Sequence, residues 1–196
     1  MLEDSGVKQL EVIFATSNKH KVKEAKKVLR SYGLEVVPRP IKGIELQDED
    51  VGVVAKFAAR NIKESSKPFF VEDTGLYVES LKGFPGAFSA YVFRTIGNEG
   101  LLRLIGKDRS AYFESAVAIR LCNYIKVFKG KLYGTISYTV RGNNGFGFDP
   151  VFIPDGERKT LGEMTLEEKC KISHRAKAMR AMAEWLNKNS MYDILY

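Results

Sequence analysis

The sequence predicts one α/β domain spanning residues 1–196, folded as two lobes around a cleft. Three observations predict it. Short buried strand-like runs alternate with amphipathic helices up to about residue 105. Long alternating segments then follow one another over about 111–141, the pattern of an antiparallel sheet. No repeat, low-complexity tract or linker divides the 196 residues, a length that suits one large domain or a domain with a lobe.

Residues 11–15 (EVIFA) read as a short buried strand. The helix expected from Asn18 to about Tyr32 carries Val22, Ala25, Val28 and Leu29 at helical spacing and stops at Gly33. Residues 34–37 read as a second strand, halted by Pro38 and Pro40. An acidic loop covers 43–50. A helix follows from Val51 to about Ser65, with Val54, Ala55, Ala58 and Ile62 on one face. After Pro68, Phe69-Phe70-Val71 form a strand that stops at Glu72 and Asp73. Strand interiors exclude adjacent charges, so that pair is expected at a strand end or a bulge. Residues 76–79 alternate again. Gly83-Phe84-Pro85-Gly86 is a turn-rich loop, and 89–105 hold one or two helices broken near Gly97-Asn98. Segments 111–121, 124–129 and 131–141 are strand-like, and 142–147 form a glycine/asparagine loop. Residues 151–153 read as a short strand, 165–169 open a helical stretch, and Ser173 to about Lys188 is the last helix. Its stripe is Ala176, Met179, Met182, Ala183 and Leu186. The tail 191–196 is apolar, and docking on the body or on another chain are both open to it.

A hydrophobic fraction of 44% with 28% charged residues suits a water-soluble globular chain and excludes a disordered one. No apolar run approaches the roughly 18–20 residues that span a bilayer. The opening MLEDSGVKQLEVIFATSN is acidic where a signal peptide is basic, so neither a membrane span nor a signal peptide is expected. Cys122 and Cys170 lie far apart with no metal-type spacing, which fits free thiols in a cytoplasmic protein. The net charge of +7 favours anionic partners, nucleic acid or nucleotides. The basic residues punctuate helical segments such as 19–30 and 169–180, where solvated helix faces explain them equally well.

Glu72 and Asp73 are the first chemical signal. Adjacent carboxylates repel unless they share a cation, and Mg2+ is commonly held by one or two carboxylates plus substrate phosphates. A solvated turn explains the pair as well. Ala15-Thr16-Ser17-Asn18-Lys19-His20-Lys21 joins a strand to a helix N-terminus, where backbone N–H groups and the helix dipole attract anions. Lys21 lies one turn in, within reach of a phosphate. The glycines of a Walker A loop are absent, and an N-cap by Ser17 or Asn18 is the plain alternative. The loop Glu45-Leu46-Gln47-Asp48-Glu49-Asp50 offers a further oxygen donor or is simply solvated. In Gly145-Phe146-Gly147-Phe148-Asp149-Pro150, aromatic faces beside a carboxylate suit a nucleobase; a glycine hairpin with core phenylalanines is the other reading. Ser173 is a plausible N-cap that places His174 and Arg175 in the first turn of the last helix. Positive charge there opposes the dipole unless an anion or a base is bound, although two polar residues opening a surface helix would look the same.

Taken together, these segments resemble the inosine triphosphate pyrophosphatase family, the noncanonical purine nucleoside triphosphate pyrophosphatases. The match runs from Thr16-Ser17-Asn18-xx-Lys21 through Val71-Glu72-Asp73-Thr74-Gly75-Leu76, Gly83-Phe84-Pro85-Gly86 and Gly145-Phe146-Gly147-Phe148-Asp149-Pro150 to Ser173-His174-Arg175, over about 11–187. Each motif alone is weak; five in order are specific. Ile96-Gly97-Asn98-Glu99-Gly100 and Ile44-Glu45-Leu46-Gln47 look like the archaeal members.

The resemblance implies cleavage of ITP, dITP or XTP to the nucleoside monophosphate and pyrophosphate, which cleanses the nucleotide pool. It implies a Mg2+-dependent cytoplasmic homodimer with a long central mixed β-sheet and an active-site cleft between two lobes. No membrane and no stable nucleic-acid partner is expected. By resemblance Asp73 is the general base, and Glu45, Glu72 and Asp73 are the metal-associated acids. The strand–helix junction Thr16, Ser17, Asn18, Lys19, His20 and Lys21, with Thr74, binds substrate, chiefly its phosphates. Phe146, Gly147, Phe148 and Asp149, with Lys169, His174 and Arg175, form the base and sugar pocket. Many members carry a lysine on the helix before the Glu-Asp strand, and Lys56 and Arg60, one turn apart, are both candidates for a phosphate contact. A carboxylate base beside a cation is expected to keep a low pKa.

Three further readings compete. The related pyrophosphatases acting on dTTP or UTP are opposed by the Gly-Phe-Gly-Phe-Asp-Pro and Ser-His-Arg segments. A basic RNA-binding module predicts salt-dependent binding without hydrolysis and leaves Glu72-Asp73 nothing to do. A nonenzymatic purine nucleotide-binding protein would use the same binding residues, and Asp73 favours turnover over it.

Overall fold

One mixed sheet of seven strands runs through the molecule in the order β2-β1-β3-β5-β6-β7, with β4 added to β3. The structure is a computed structural model and describes residues 10–41, 44, 46–63 and 67–189. In chain order its elements are β1 (Leu10–Ala15), α1 (Lys19–Leu29), β2 (Leu34–Arg39), α2 (Val51–Asn61), β3 (Phe69–Val78), β4 (Pro85–Gly86), α3 (Ser89–Leu104), β5 (Ser110–Leu121), β6 (Tyr124–Ile136), β7 (Phe152–Pro154), α4 (Leu166–Ile172) and α5 (His174–Lys188). β1 pairs in parallel with β2 and β3, whereas β3, β5, β6 and β7 pair antiparallel. The mixed central sheet is the one the resemblance implied. Among the described residues no helix is long and apolar enough to cross a membrane.

Alternation along the strands divides the core. Phe14, Phe70, Val117 and Ile119 face α1 and α5. Ile13, Phe69, Val71, Ala116 and Ala118 face α2. Beyond them, Leu76, Val78, Phe113, Leu132 and Phe152 pack with Val92 and Leu101 of α3 in a third cluster. Helix α3 is broken at Gly97, whose φ of 63° and ψ of −166° lie outside the helical region, as the Gly97-Asn98 pair predicted.

Three strand boundaries differ from the sequence expectation, each for a tertiary reason. β2 continues through Pro38 to Arg39 because, among the described residues, it is an edge strand paired to β1 alone, and an edge tolerates a missing N–H. The segments 124–129 and 131–141 are joined into the single strand β6, which ends at Ile136. Gly130 sits at the join: a Cβ there would lie 2.2 Å from the His174 carbonyl oxygen and 2.6 Å from the Ala178 nitrogen, so its absence lets α5 lie on the sheet. Finally, β3 does not stop at Glu72-Asp73. It runs unbroken for ten residues, with Glu72 opposite Val117 and Asp73 opposite Ala116.

Candidate active site

A gap in the sheet explains how two charges fit inside a strand. β1 pairs with β3 at Phe69 and Phe70, and β4 pairs with it only at Leu76 and Tyr77. Between those contacts, among the described residues, no strand pairs with this edge of β3 along Val71–Gly75. Alternation sends Glu72 to the α1/α5 face and Asp73 toward the α2 face. The two carboxylates therefore flank the strand at the notch and do not lie side by side on one surface.

Glu72 is fully buried and held on all sides. Lys21, from the first turn of α1, reaches its Oε2 at 2.8 Å and its backbone carbonyl at 3.0 Å. Arg175 Nε lies 3.1 Å from Oε1, Ser115 Oγ donates to the same oxygen at 2.5 Å, and Thr74 Oγ1 donates to it as well. Burial alone would raise its pKa, but Arg175 and Lys21 outweigh that and hold it well below the carboxylate range.

From Glu72 a buried chain of charge runs toward the loop 145–149. Arg175 Nη1 binds Glu24 Oε2 at 2.7 Å, and its Nη2 donates to Thr74 Oγ1 at 3.2 Å. Glu24 Oε1 accepts from Lys169 at 2.8 Å, and Lys169 binds Asp149 Oδ2 at 2.6 Å. That oxygen also accepts the Phe146 N–H at 2.8 Å, which closes the loop over it. Gly145 is required there, because a Cβ would lie 2.1 Å from Asp149 Oδ2. Asp149, Glu24 and Glu72 thus alternate with Lys169, Arg175 and Lys21. Arg175 and Lys169 push Glu24 below its ordinary pKa against the effect of its burial, and Asp149 and Glu24 raise that of Lys169 against its own.

Phe146 roofs this chain. Lys169 Nζ and Arg175 Cζ lie 5.0 and 5.1 Å from its ring centroid, and the His20 ring lies 5.3 Å away. His174 opens α5 behind it, with Ser173 as the N-cap accepting from the Ala176 N–H. The imidazole is buried, stacked on Phe113 at 4.5 Å, and neither ring nitrogen has a hydrogen-bond partner. Burial, then Arg175 and Lys169, keep it neutral. Phe148 is buried against Phe93, and Gly147 takes φ of 62° between the two aromatics. At the strand–helix junction Asn18 is the N-cap, accepting from the His20 and Lys21 N–H groups, and Thr16 accepts from the Asn18 N–H. Ser17, Lys19 and His20 are exposed at the mouth.

Asp73 stands apart. Among the described residues it has no salt bridge, and its Oδ2 is buried without a hydrogen bond. Burial, with the neighbouring Glu72 charge, lifts its pKa to about 6 against the pull of Lys21 and Arg175. The expected low value is therefore not that of the metal-free site. An orphaned buried carboxylate oxygen fits a divalent cation. Glu72 differs in having protein cations at both oxygens: Oε1 lies 3.1 Å from Arg175 Nε and Oε2, which has no hydrogen-bond partner, forms an ion pair with Lys21 at 2.8 Å. Glu45 lies outside the described residues, and among those described no group of three His, Cys, Asp or Glu is arranged to hold a metal.

Lys56 and Arg60 are both exposed on α2. Their positions differ along the sheet. The Arg60 carbonyl accepts from Arg120, which pairs with Phe69 at the far end of β3. The opposite end of α2 is tied by Asp50 to Lys129, which pairs with Ala116 beside Asp73. Lys56 is thus the nearer of the two to Asp73.

Two residues of this site were missed in the sequence. Glu24 is a carboxylate on the apolar stripe of α1, one turn after Lys21, and a charge at a buried helical position was the available signal. Ser115 had none, because a serine inside a strand marks nothing until its neighbour across the sheet is known.

A model of the Ham1 family matches residues 12–185. The dITP/XTP pyrophosphatase of Pyrococcus horikoshii is 45% identical over 186 residues, covering 93% of this chain and 100% of that one. The dITP/XTP pyrophosphatase of Hyperthermus butylicus is 46% identical over 178 residues, covering 89% and 94%. Among solved structures, the Staphylococcus aureus Ham1 protein superposes with a TM-score of 0.74 at 29% identity, covering 91% of this chain and 98% of its own. A HAM1 protein from Coxiella burnetii gives a TM-score of 0.74 at 27% identity, with 91% and 99% coverage.

Proposed function

We propose, from the premise that this chain belongs to the Ham1 family, that it is a nucleoside triphosphate pyrophosphohydrolase. It cleaves ITP, dITP and XTP to the nucleoside monophosphate and pyrophosphate and so removes these purines from the nucleotide pool. One observation carries the reading. Beside a chain of ion-paired carboxylates, Asp73 has, among the described residues, no salt bridge; its Oδ2 is buried without a hydrogen bond and its pKa is raised to about 6. A carboxylate so placed is poised to take a proton from water near neutral pH.

The chain's residues divide the work. Phe146 offers a face for the base above Lys169 and Arg175, and Lys21 and Lys56 flank the notch through which a triphosphate passes from the base side to Asp73. The exposed helix N-terminus beyond Asn18 presents N–H groups to phosphate oxygens. Asp73 takes the proton of a water aimed at phosphorus, and the lysines stabilise charge on the departing pyrophosphate. Mg2+, held by Asp73 and substrate phosphates with Glu45 as a further ligand, would supply charge neutralisation along the triphosphate. A 6-oxo purine presents an acceptor to the pocket's donors. An adenine amino group would set donor against donor, which is costly when buried. The same reading makes the protein a cytoplasmic homodimer acting on free nucleotides.

The test is pyrophosphate release from ITP, XTP, ATP and dTTP, with and without Mg2+, by wild type and Asp73→Asn. Mg2+-dependent release from ITP and XTP, lost in the variant, is expected. Preference for dTTP would overturn the base assignment, and no release from any nucleotide would overturn the enzyme reading.

A further inference from the structure

We infer that Glu72 is a positioning residue, the fixed internal anion that presents Lys21 and Arg175 to the nucleotide, and not a ligand of the metal. The inference rests on the nucleotide reading above. Its ground is the geometry of one carboxylate. Oε1 accepts from Ser115 Oγ and Thr74 Oγ1 and lies 3.1 Å from Arg175 Nε, and Oε2 is ion-paired with Lys21 Nζ at 2.8 Å. The side chain has no exposed surface. A hard cation would have to displace Lys21 or Arg175 from a buried charge, leaving an ammonium or guanidinium without its partner.

The arrangement also fixes both cations in orientation. The Arg175 guanidinium is held along its edges: Nη1 donates to Glu24, Nη2 donates to Thr74, and Nε lies 3.1 Å from Glu72 Oε1 as an ion pair. With its edges tied, the guanidinium can turn only its plane to the Phe146 ring, 5.1 Å away, where a base would lie. Lys21 is anchored by two oxygens of the same residue, its carboxylate and its carbonyl, at the open edge of β3. Glu72 therefore sets the base-side cation and the phosphate-side cation together. Ser115, wholly buried on β5, holds Glu72 in turn.

The two roles for Glu72 predict opposite signs in a metal-free measurement. Removing a negative charge beside an anion site should, by Coulomb's law alone, tighten binding of a phosphate. Losing the anchor of both cations should weaken it. We would titrate inosine monophosphate into the full-length protein in EDTA by calorimetry, which reads affinity and binding stoichiometry separately. Glu72→Gln is expected to weaken binding about tenfold at unchanged stoichiometry. It should also narrow the preference over adenosine monophosphate, because Arg175 is no longer aimed. Ser115→Ala, which keeps the charge and loosens only its support, should weaken binding about threefold. That variant decides the matter if Glu72→Gln does not fold. Unchanged or tighter binding in whichever variants fold would overturn the proposal and leave the enzyme reading standing. Wild type that fails to bind inosine monophosphate removes the nucleotide reading and this proposal with it.

Discussion

At the scale of the residue, Asp73 makes two opposed predictions that share one cause. Burial and Glu72 raise its pKa to about 6, so the anion needed for proton abstraction is lost as pH falls through that value. The kcat/KM of wild type for ITP at low Mg2+ should therefore fall about tenfold per pH unit below about 6, and the limb should move to lower pH as Mg2+ is raised. A steady-state pH series at two Mg2+ concentrations reads this directly; a limb that ignores Mg2+ would dissociate Asp73 from the metal. For stability the sign reverses. The folded state binds the Asp73 proton more tightly than the unfolded chain, so the ionised side chain costs stability above about pH 6 and the cost vanishes below about 4. Asp73→Asn should raise the melting temperature by several degrees at pH 8, a gain on the order of 2 kcal/mol, and by little at pH 4. That the charges here are unusual was legible from two acids interrupting an apolar run. Which acid is free was not, because that depends on Lys21, Ser115 and Arg175, the last about a hundred residues along the chain.

At the scale of the element, the site depends on where α5 lies on β6. Gly130 meets the His174 carbonyl and the Ala178 nitrogen, both backbone atoms that cannot swing aside. Gly130→Ala must therefore push the first turn of α5 off the sheet, which moves His174 and Arg175 together. A loss of about 2–3 kcal/mol in denaturant unfolding is expected, with a fall in activity that exceeds the loss of folded protein. Gly106→Ala is the control: a Cβ there meets nothing within 4 Å, so its effect should stay within about 1 kcal/mol. The same close approach explains why one strand looked like two. A glycine in an alternating pattern reads as a break, and only the helix packed above it shows why the strand needs one. β3 misled in the opposite way. Its charges looked like an end because a strand interior normally has neighbours on both edges, and the notch between β1 and β4 removes one of them.

At the scale of the molecule, buried and exposed charge should respond differently to salt. The net charge is +7, and Lys19, Lys23, Lys26, Lys27 and Arg30 form an exposed stripe along and just beyond α1, beside the mouth of the site. Steering of a triphosphate by this surface is screened over about 8–10 Å at moderate ionic strength. Raising NaCl should lower kcat/KM for ITP several-fold while kcat and thermal stability change little, since the Asp149–Lys169–Glu24–Arg175–Glu72–Lys21 chain is shielded from solvent. Stopped-flow or steady-state rates at several salt concentrations, with melts in the same buffers, test the contrast. Acid should do what salt does not. Glu24 and Glu72 are depressed below their unfolded values, so the stability they contribute is present above about pH 4.5 and is lost as pH falls below it.

The sequence by itself determined the α/β class, the order of the elements and the segments whose side chains meet around Glu72. Those follow from periodicity, turn residues and motif order, all properties of neighbours along the chain. Tertiary structure alone decided the partners. It separated Glu72 from Asp73 by placing them on opposite faces of an unbroken strand, gave Glu72 two protein cations, and left Asp73 without one. It also recruited Glu24 and Ser115, whose roles arise from contacts across 151 and 43 residues of chain. Electrostatics and hydrogen bonding act through space, and no local pattern encodes which distant charge a buried side chain will meet.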